Sequence, residues 1–225
     1  DMVITYAKEK SIKKIEGPMG FTNLDKAGML TLGFDKLATM IGIYNHRYYP
    51  EHLENLGLQK EKEWVEFEIM FPETLPEKIY KFNELISQKY KLKVLKFKSK
   101  EEILQYVDAM FDLLDETYKH LSTYTPISDE QRKTYKEKYF KLIDKDFIIC
   151  ISDADNNLVS FAITMPSYSK ALQKSKGKLF PFGFYHLLQA RKHSKEIVFY
   201  LIGITPEYQS KGVTAIVFDE YYKVC

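Results

Sequence analysis

Several things are scarce in this sequence. It contains no apolar run approaching the ~20 residues that a membrane-spanning helix requires, so no membrane partner is expected. It carries two cysteines, Cys150 and Cys225. That excludes a disulfide framework and fits a reducing, cytoplasmic setting. Cys150, inside "FIICI", reads as a small core residue. Charge of one sign is also scarce: 33 basic against 31 acidic residues leave a net +2, which argues against a nucleic-acid-binding surface spread over the molecule. The histidine pairs 46/52 and 186/193 match no metal-ligand signature, and His120 stands apart. Asp153, Asp155 and Asn157 have the alternate spacing of a calcium loop. Leu158 stands where glycine is needed, however, and no glutamate closes the loop, so a hairpin turn accounts for them. No metal is expected. Neither a Ser-His-Asp order nor a nucleophile elbow is present. The N-terminus, "DMVITYAKEK", has no charged-then-apolar signal pattern and no initiator Met, so the chain is read as a fragment.

What is present is a globular composition, 45% hydrophobic and 28% charged over 225 residues. That is enough for one large domain or two small ones. The seam lies in "FPETLPEKIYKFNELISQKYKLK", where Pro72 and Pro76 precede a helix over Glu77–Lys89. This divides the chain into residues 1–71, a connector at 72–91, and residues 92–225. Before the seam, "SIKKIEG" reads as a strand with Ile12 and Ile15 on one side. "PEHLENLG" reads as a short helix closed by Gly57. "WVEFEIMF" alternates Val65, Phe67, Ile69 and Phe71 against Trp64, Glu66, Glu68 and Met70, which predicts a strand with one buried face.

After the seam, "LKVLKFKS" reads as a strand. Ser99 and Glu102 have capping-box spacing ahead of a stripe formed by Ile103, Leu104, Val107, Met110, Phe111 and Leu114. Ser128 and Gln131 open a second helix with Tyr135, Tyr139, Phe140 and Ile143 inward. "FIICISDADNNLVSFAITM" is a hairpin. A Phe-rich, Lys-rich insertion follows at Ser167–Lys195. Seven Lys or Arg and no acid lie between Lys170 and Lys195, which marks either a solvated face or a local anion site. The insertion has four readings: a cap on an acceptor pocket, a contact to phosphates, a subunit interface, or a surface helix that buries its aromatic side. The order strand, two helices, hairpin, insertion, strand, helix predicts an α+β fold with a mostly antiparallel sheet flanked by helices.

The last segment, "IVFYLIGITPEYQSKGVTAIVFDEYYK", is a strand that turns through one glycine into a helix. A helix N-terminus offers unpaired N–H groups and the positive end of a dipole, which suits an anion. Gly212 would admit a phosphate close to the backbone. Lys211 adds charge, and Gln209, Ser210 and Thr214 add short polar groups. The segment is neither a Walker A loop nor a dinucleotide fingerprint.

With its upstream order, "LIGITPEYQSKGVTAIVFDEYY" resembles the acetyl-CoA motif of the GNAT acyltransferases. Gln209 and Gly212 match their slots, and Thr214 stands where the family prefers Gly or Ala. "YNHRYYPEHLENLGLQKEKEWVEFEI" resembles the family's late helix and last strands, with Leu58 in place of the usual Phe. "GPMGF…GMLTLGFD…YNHRYYPEHLENLG" further resembles a group of tandem GNAT-like bacterial proteins. On this resemblance, residues 1–71 correspond to the C-terminal half of one such domain and residues 92–225 to the N-terminal part of another.

The resemblance implies an acyl-CoA-dependent N-acyltransferase with acetyl-CoA or another acyl-CoA as cofactor and a small-molecule or peptide amine as acceptor. The amine would attack the thioester directly. Backbone groups of Ile202, Gly203 and Ile204 would face the thioester and pantetheine. Gln209, Ser210, Lys211, Gly212, Val213 and Thr214 would hold the pyrophosphate. The family's general acid, a tyrosine in the late helix, would fall beyond Cys225, and Tyr48 or Tyr49 is the nearest analogue. Glu196, just before the motif strand, is the nearest candidate base. The resemblance also implies a homodimer, or the second half of a tandem domain as partner. Two rivals stand beside it: a non-catalytic GNAT-like module that binds CoA or serves a structural or regulatory role, and a nucleic-acid binder that uses the basic insertion.

Overall fold

The structure, a computed structural model, describes residues 2–22, 24–121, 124–139 and 144–223. Phe140, Ile143, Cys225 and the side chain of Tyr139 lie outside the described residues. The chain divides into two compact units, Asp1–Lys62 and Glu63–Cys225.

The first unit holds helix α1 (Met2–Glu9) and helix α2 (Tyr49–Asn55). Helix α2 ends where the sequence puts its glycine: Gly57 adopts φ +85° and donates to the Glu54 carbonyl, while Leu58 donates to that of Leu53. The strand expected around Ile12 and Ile15 does not form. The segment has no ladder partner among the described residues, and both isoleucines are exposed. Polar contacts hold the unit's loops instead. Asp25 accepts from the amides of Phe21 and Thr22 at 2.8 and 2.9 Å. Buried Asn45 accepts from Leu30 N at 2.6 Å.

The second unit begins with Trp64–Phe71, which also forms no strand: Trp64, Val65, Phe67, Ile69 and Met70 are exposed. Alternation specifies which face a strand would bury, but a strand exists only where a neighbour takes up its N–H and C=O groups. Helix α3 (Glu77–Tyr90) follows. It is stopped by Lys91 in the left-handed region and by Leu92 donating to the Ser87 carbonyl. Strand β1 (Lys93–Leu95), helix α4 (Lys100–Tyr118) and helix α5 (Asp129–Tyr139) come next.

The two caps differ. Ser128 and Gln131 form a reciprocal capping box, with bonds of 2.9 and 3.3 Å. At α4, Ser99 makes no side-chain cap bond, and Glu102 accepts from Lys98 N at 2.7 Å instead. Strands β2 (Ile148–Ser152) and β3 (Leu158–Pro166) form the expected hairpin. Asp153 organises its turn by accepting from the Asp155 and Asn157 amides, both at 2.9 Å. Helices α6 (Ser169–Ser175) and α7 (Gly183–His193) form the insertion. Strand β4 (Ile197–Ile204) and helix α8 (Val213–Tyr222) end the unit.

The sheet runs β1-β2-β3-β4 and every pairing is antiparallel. The fold is therefore α+β, as expected. One face carries Ile149, Ile151, Ala162 and Ile204, which pack with Val213, Ile216, Val217 and Tyr221 of α8 and with Ile86 of α3. Helix α4 packs on β3 and β4 and buries Ile103, Met110, Leu113 and Leu114. Cys150 has no exposure, and burial pushes its thiol up to about 12.

Candidate functional site at the end of β4

The register between β3 and β4 determines what the end of β4 presents. Thr205 N donates to Val159 O at 2.9 Å, and Gly203 pairs with Phe161. Antiparallel pairs alternate between hydrogen-bonded and non-bonded. The N–H and C=O groups of Ile202 and Ile204 therefore point away from β3, to the outer edge of the sheet. Further back, Ile163 pairs with Leu201 and Thr164 with Phe199, so Tyr200 is an extra residue that bulges β4.

The C-terminal turn of α4 meets this edge. The Tyr118 hydroxyl donates to the Ile202 carbonyl at 3.4 Å; the Thr117 hydroxyl donates to Leu113 O of its own helix at 2.7 Å and lies 3.4 Å from the Ile204 carbonyl. Gln209 Nε2 also donates to Ile204 O, at 3.1 Å. Burial raises the pKa of Tyr118, which keeps the phenol protonated and its O–H available as a donor. Thr117 and Tyr118 were missed in the sequence reading. The signal was present, because the stripe through Met110 and Leu114 continues at the same spacing to residues 117 and 118.

Beyond Ile204 the chain makes a 3-10 turn, Pro206–Tyr208, and reaches Gly212 at φ +82°, the residue that caps α8. The N–H groups of Val213 and Thr214 open the helix, where no intrahelical acceptor exists. The side chain of Val213 is fully buried, so only its backbone is available to a ligand; Thr214 is half-buried and Ser210 exposed.

Gly212 and Lys211 have local tasks that their spacing does not announce. A Cβ on Gly212 would lie 2.4 Å from Ile86 Cδ1 and 3.1 Å from Phe82 Cζ. The space that a side chain would need is filled by α3. Lys211 Nζ lies 4.9 Å from the Tyr90 ring and 4.4 Å from the Tyr208 ring, and 3.0 Å from Glu207. Its charge is held by two aromatic faces and a carboxylate. Gly203 is a third case: a Cβ there would meet Phe161 Cε1 at 2.6 Å.

The structure thus brings Ile202, Gly203, Ile204, Gln209 and the residues through Thr214 to one end of the sheet. Glu196 sits at the other end of β4. Six residues separate it from Ile202, about 20 Å of strand, and it is ion-paired with Lys170. Tyr48 and Tyr49 belong to the first unit, where their ring centroids lie 4.9 Å apart and Tyr48 stacks on His46 at 5.6 Å. Partial desolvation and the adjoining Tyr49 phenol raise the pKa of Tyr48.

Behind the turn, α3 and α8 flank a cavity of about 500 Å³ lined mainly by apolar side chains, among them Phe71, Ile79, Phe82 and Phe218. Ile202, Ile204 and Gln209 do not line it. The C-terminal turn of α8 carries two buried acids. Asp219 pairs with Lys223 at 2.8 Å, and Glu220 pairs with Lys223 at 2.7 Å and with Lys96. Burial alone would raise the Glu220 pKa. The bonds from Lys223 and Lys96 outweigh it, and the net shift is downward.

The chain is 22% identical over 219 residues to Protein YghO of Escherichia coli (strain K12), a match that covers 94% of this chain and 54% of YghO. The chain therefore spans about half the length of that relative. No family model matches the chain, and no solved structure matches it.

Proposed function

We propose that this chain contains the cofactor-binding part of a GNAT-like, acyl-CoA-dependent N-acyltransferase acting on an amine. The observation that carries the reading is the outer edge of β4. Ile202 and Ile204 turn backbone N–H groups outward there, and the strand leads directly to the open N-terminal turn of α8.

A CoA thioester fits these donors in part. The Ile202 and Ile204 amides suit an extended chain with amide groups, and the Val213 and Thr214 amides suit a pyrophosphate. The Gly212 and Lys211 side of the turn fits less well, because α3 and the Tyr90–Tyr208 pair already occupy it. When bound, the cofactor supplies an activated acyl group. The chain's own part is to orient through backbone donors at Ile202 and Ile204 and to keep the Tyr118 O–H protonated beside them. The cytoplasmic setting, the amine acceptor and a dimeric or tandem partner belong to the same reading.

A second reading has its own support. Lys211 is engaged, Gly212 is packed, and Glu196 lies at the far end of β4. That arrangement suits a GNAT-like module that binds CoA without catalysis, or that serves a structural or regulatory role.

Calorimetric titration with acetyl-CoA and with CoA, followed by thiol release across a panel of amines, separates the two. The enzyme reading expects binding that Gln209→Ala weakens, together with amine-dependent thiol release. Binding without release selects the non-catalytic module. No binding by the folded chain removes the cofactor from both.

A further inference from the structure

We propose that the tip between α6 and α7 docks onto the anionic face of a lipid bilayer, a peripheral contact that departs from the expectation of no membrane partner and needs no membrane-spanning helix. Leu179, Phe180 and Phe182 stand at this tip, and the two phenylalanines are 74% and 70% exposed. The aromatic side of the insertion is therefore turned to solvent and not buried.

The exposure belongs to a constructed turn. Lys176 and Gly177 take left-handed conformations at φ +52° and +72°. Lys178 N donates to Ser175 O, Phe184 N to Leu179 O, and Tyr185 N to Phe182 O, at 2.9, 2.9 and 3.1 Å. A Cβ on Gly183 would fall 1.8 Å from the Lys178 carbonyl oxygen, so the loop closes tightly on the start of α7. The bonded frame holds the apolar side chains outward.

The charges around the tip are of one sign. Lys174, Lys176 and Lys178 are exposed and make no ion pair with any described residue. The basic residues that do have partners, Lys170 and Arg191, are held by Glu196 and Asp144. A short apolar wedge ringed by free lysines matches the depth profile of a bilayer surface. Phenyl and leucyl groups reach the acyl boundary while lysines remain among anionic headgroups.

Single-stranded nucleic acid is the competing occupant, because aromatic side chains also stack on bases. The tip favours lipid. Leu179 has no stacking face, Arg191 is committed to Asp144, and the net charge of +2 supplies little counterion release elsewhere on the molecule.

The test is co-sedimentation of the full chain with phosphatidylcholine vesicles, with and without a quarter of phosphatidylserine. The expected result is salt-sensitive binding to the phosphatidylserine vesicles alone. Combined Phe180→Ser and Phe182→Ser should weaken it at least tenfold, about one buried phenyl group's worth of transfer energy. Combined Lys174→Gln, Lys176→Gln and Lys178→Gln should weaken it about fivefold for each lysine lost. Both variants change exposed side chains, so their melting temperatures should match the parent, which separates loss of docking from loss of folding. The proposal is overturned if the parent chain stays in the supernatant with both vesicle types. It is equally overturned if the phenylalanine variant binds as well as the parent, or if the chain is retained on a single-stranded oligonucleotide and not on vesicles.

Discussion

Replacing Gly212 by alanine separates two explanations of this glycine, approach of a ligand and packing of a helix. The structure supports packing. The new Cβ would stand 2.4 Å from Ile86 Cδ1, inside any allowed carbon–carbon contact, and Ile86 is buried on α3. The residue would also keep φ near +82°, which costs an L-residue about 1–2 kcal/mol. Overpacking a filled site adds about 1–3 kcal/mol. Together these predict a loss of about 2–5 kcal/mol, or about 4–20 °C in Tm at this size. Ile86→Val removes the offending Cδ1 and by itself should cost about 0.5–1.5 kcal/mol. In the double variant the larger steric part, the Ile86 overlap, should vanish, and the backbone part and the 3.1 Å contact with Phe82 should remain. Urea unfolding of the parent, both single variants and the double variant closes the cycle. A coupling of about 1–3 kcal/mol in the relieving direction is expected. Losses that add within about 0.5 kcal/mol would refute helix packing as the reason for the glycine.

Further outcomes follow from the same packing and electrostatics. Gly203→Ala should destabilise by about 1–3 kcal/mol because of the Phe161 ring, and Phe161→Leu should recover part of that loss in a thermal melt. Glu220 has a lowered folded pKa. Its contribution is therefore present above the ordinary glutamate range and fades as pH falls through the depressed value. Glu220→Gln should cost about 1–3 kcal/mol at neutral pH and flatten the acid limb of a urea-midpoint-against-pH curve. With its thiol near 12, Cys150 should be about one ten-thousandth thiolate at pH 8. Iodoacetamide should label it only after denaturant unfolds the sheet, and rapid native labelling would contradict its burial.

Local signals in the sequence were sufficient at most places where the interaction itself is local; the exception is the Ser99–Glu102 pair, where Glu102 accepts from Lys98 N instead. The Ser128–Gln131 box, the Asp153 turn, the glycine stop after α2 and the span of α3 all depend on residues within a few positions of one another. The order of elements in the second unit was legible for the same reason. Trp64–Phe71 alternates as well as any strand here, but alternation carries no information about a pairing neighbour. Gly212 was legible as the glycine of a turn and Gly203 as part of the strand before it. Their physical reasons, the Phe161 ring and the Ile86 side chain, come from elements distant in sequence. Likewise Lys211 read as a free charge until Tyr90, at the end of α3, was placed beside Tyr208. Whether the phenylalanines at 180 and 182 would be buried was one of four open readings of the insertion, since apolar content alone does not state which way a short loop turns.

In the sheet as described, β4 is an edge strand, with an eight-residue run, Ile197–Ile204, that is rich in β-formers. Such an edge is a template on which another chain's strand can grow. The hydroxyl of Tyr118 and the amide of Gln209 take up the carbonyls at 202 and 204, acceptors that an incoming strand would need. These two side chains therefore act as guards on the sheet's growing end. The combination Tyr118→Phe and Gln209→Ala would remove the guards while sparing the apolar core. Its cost should show less in melting temperature than in turbidity during refolding at high protein concentration, where an unguarded strand edge recruits its copies.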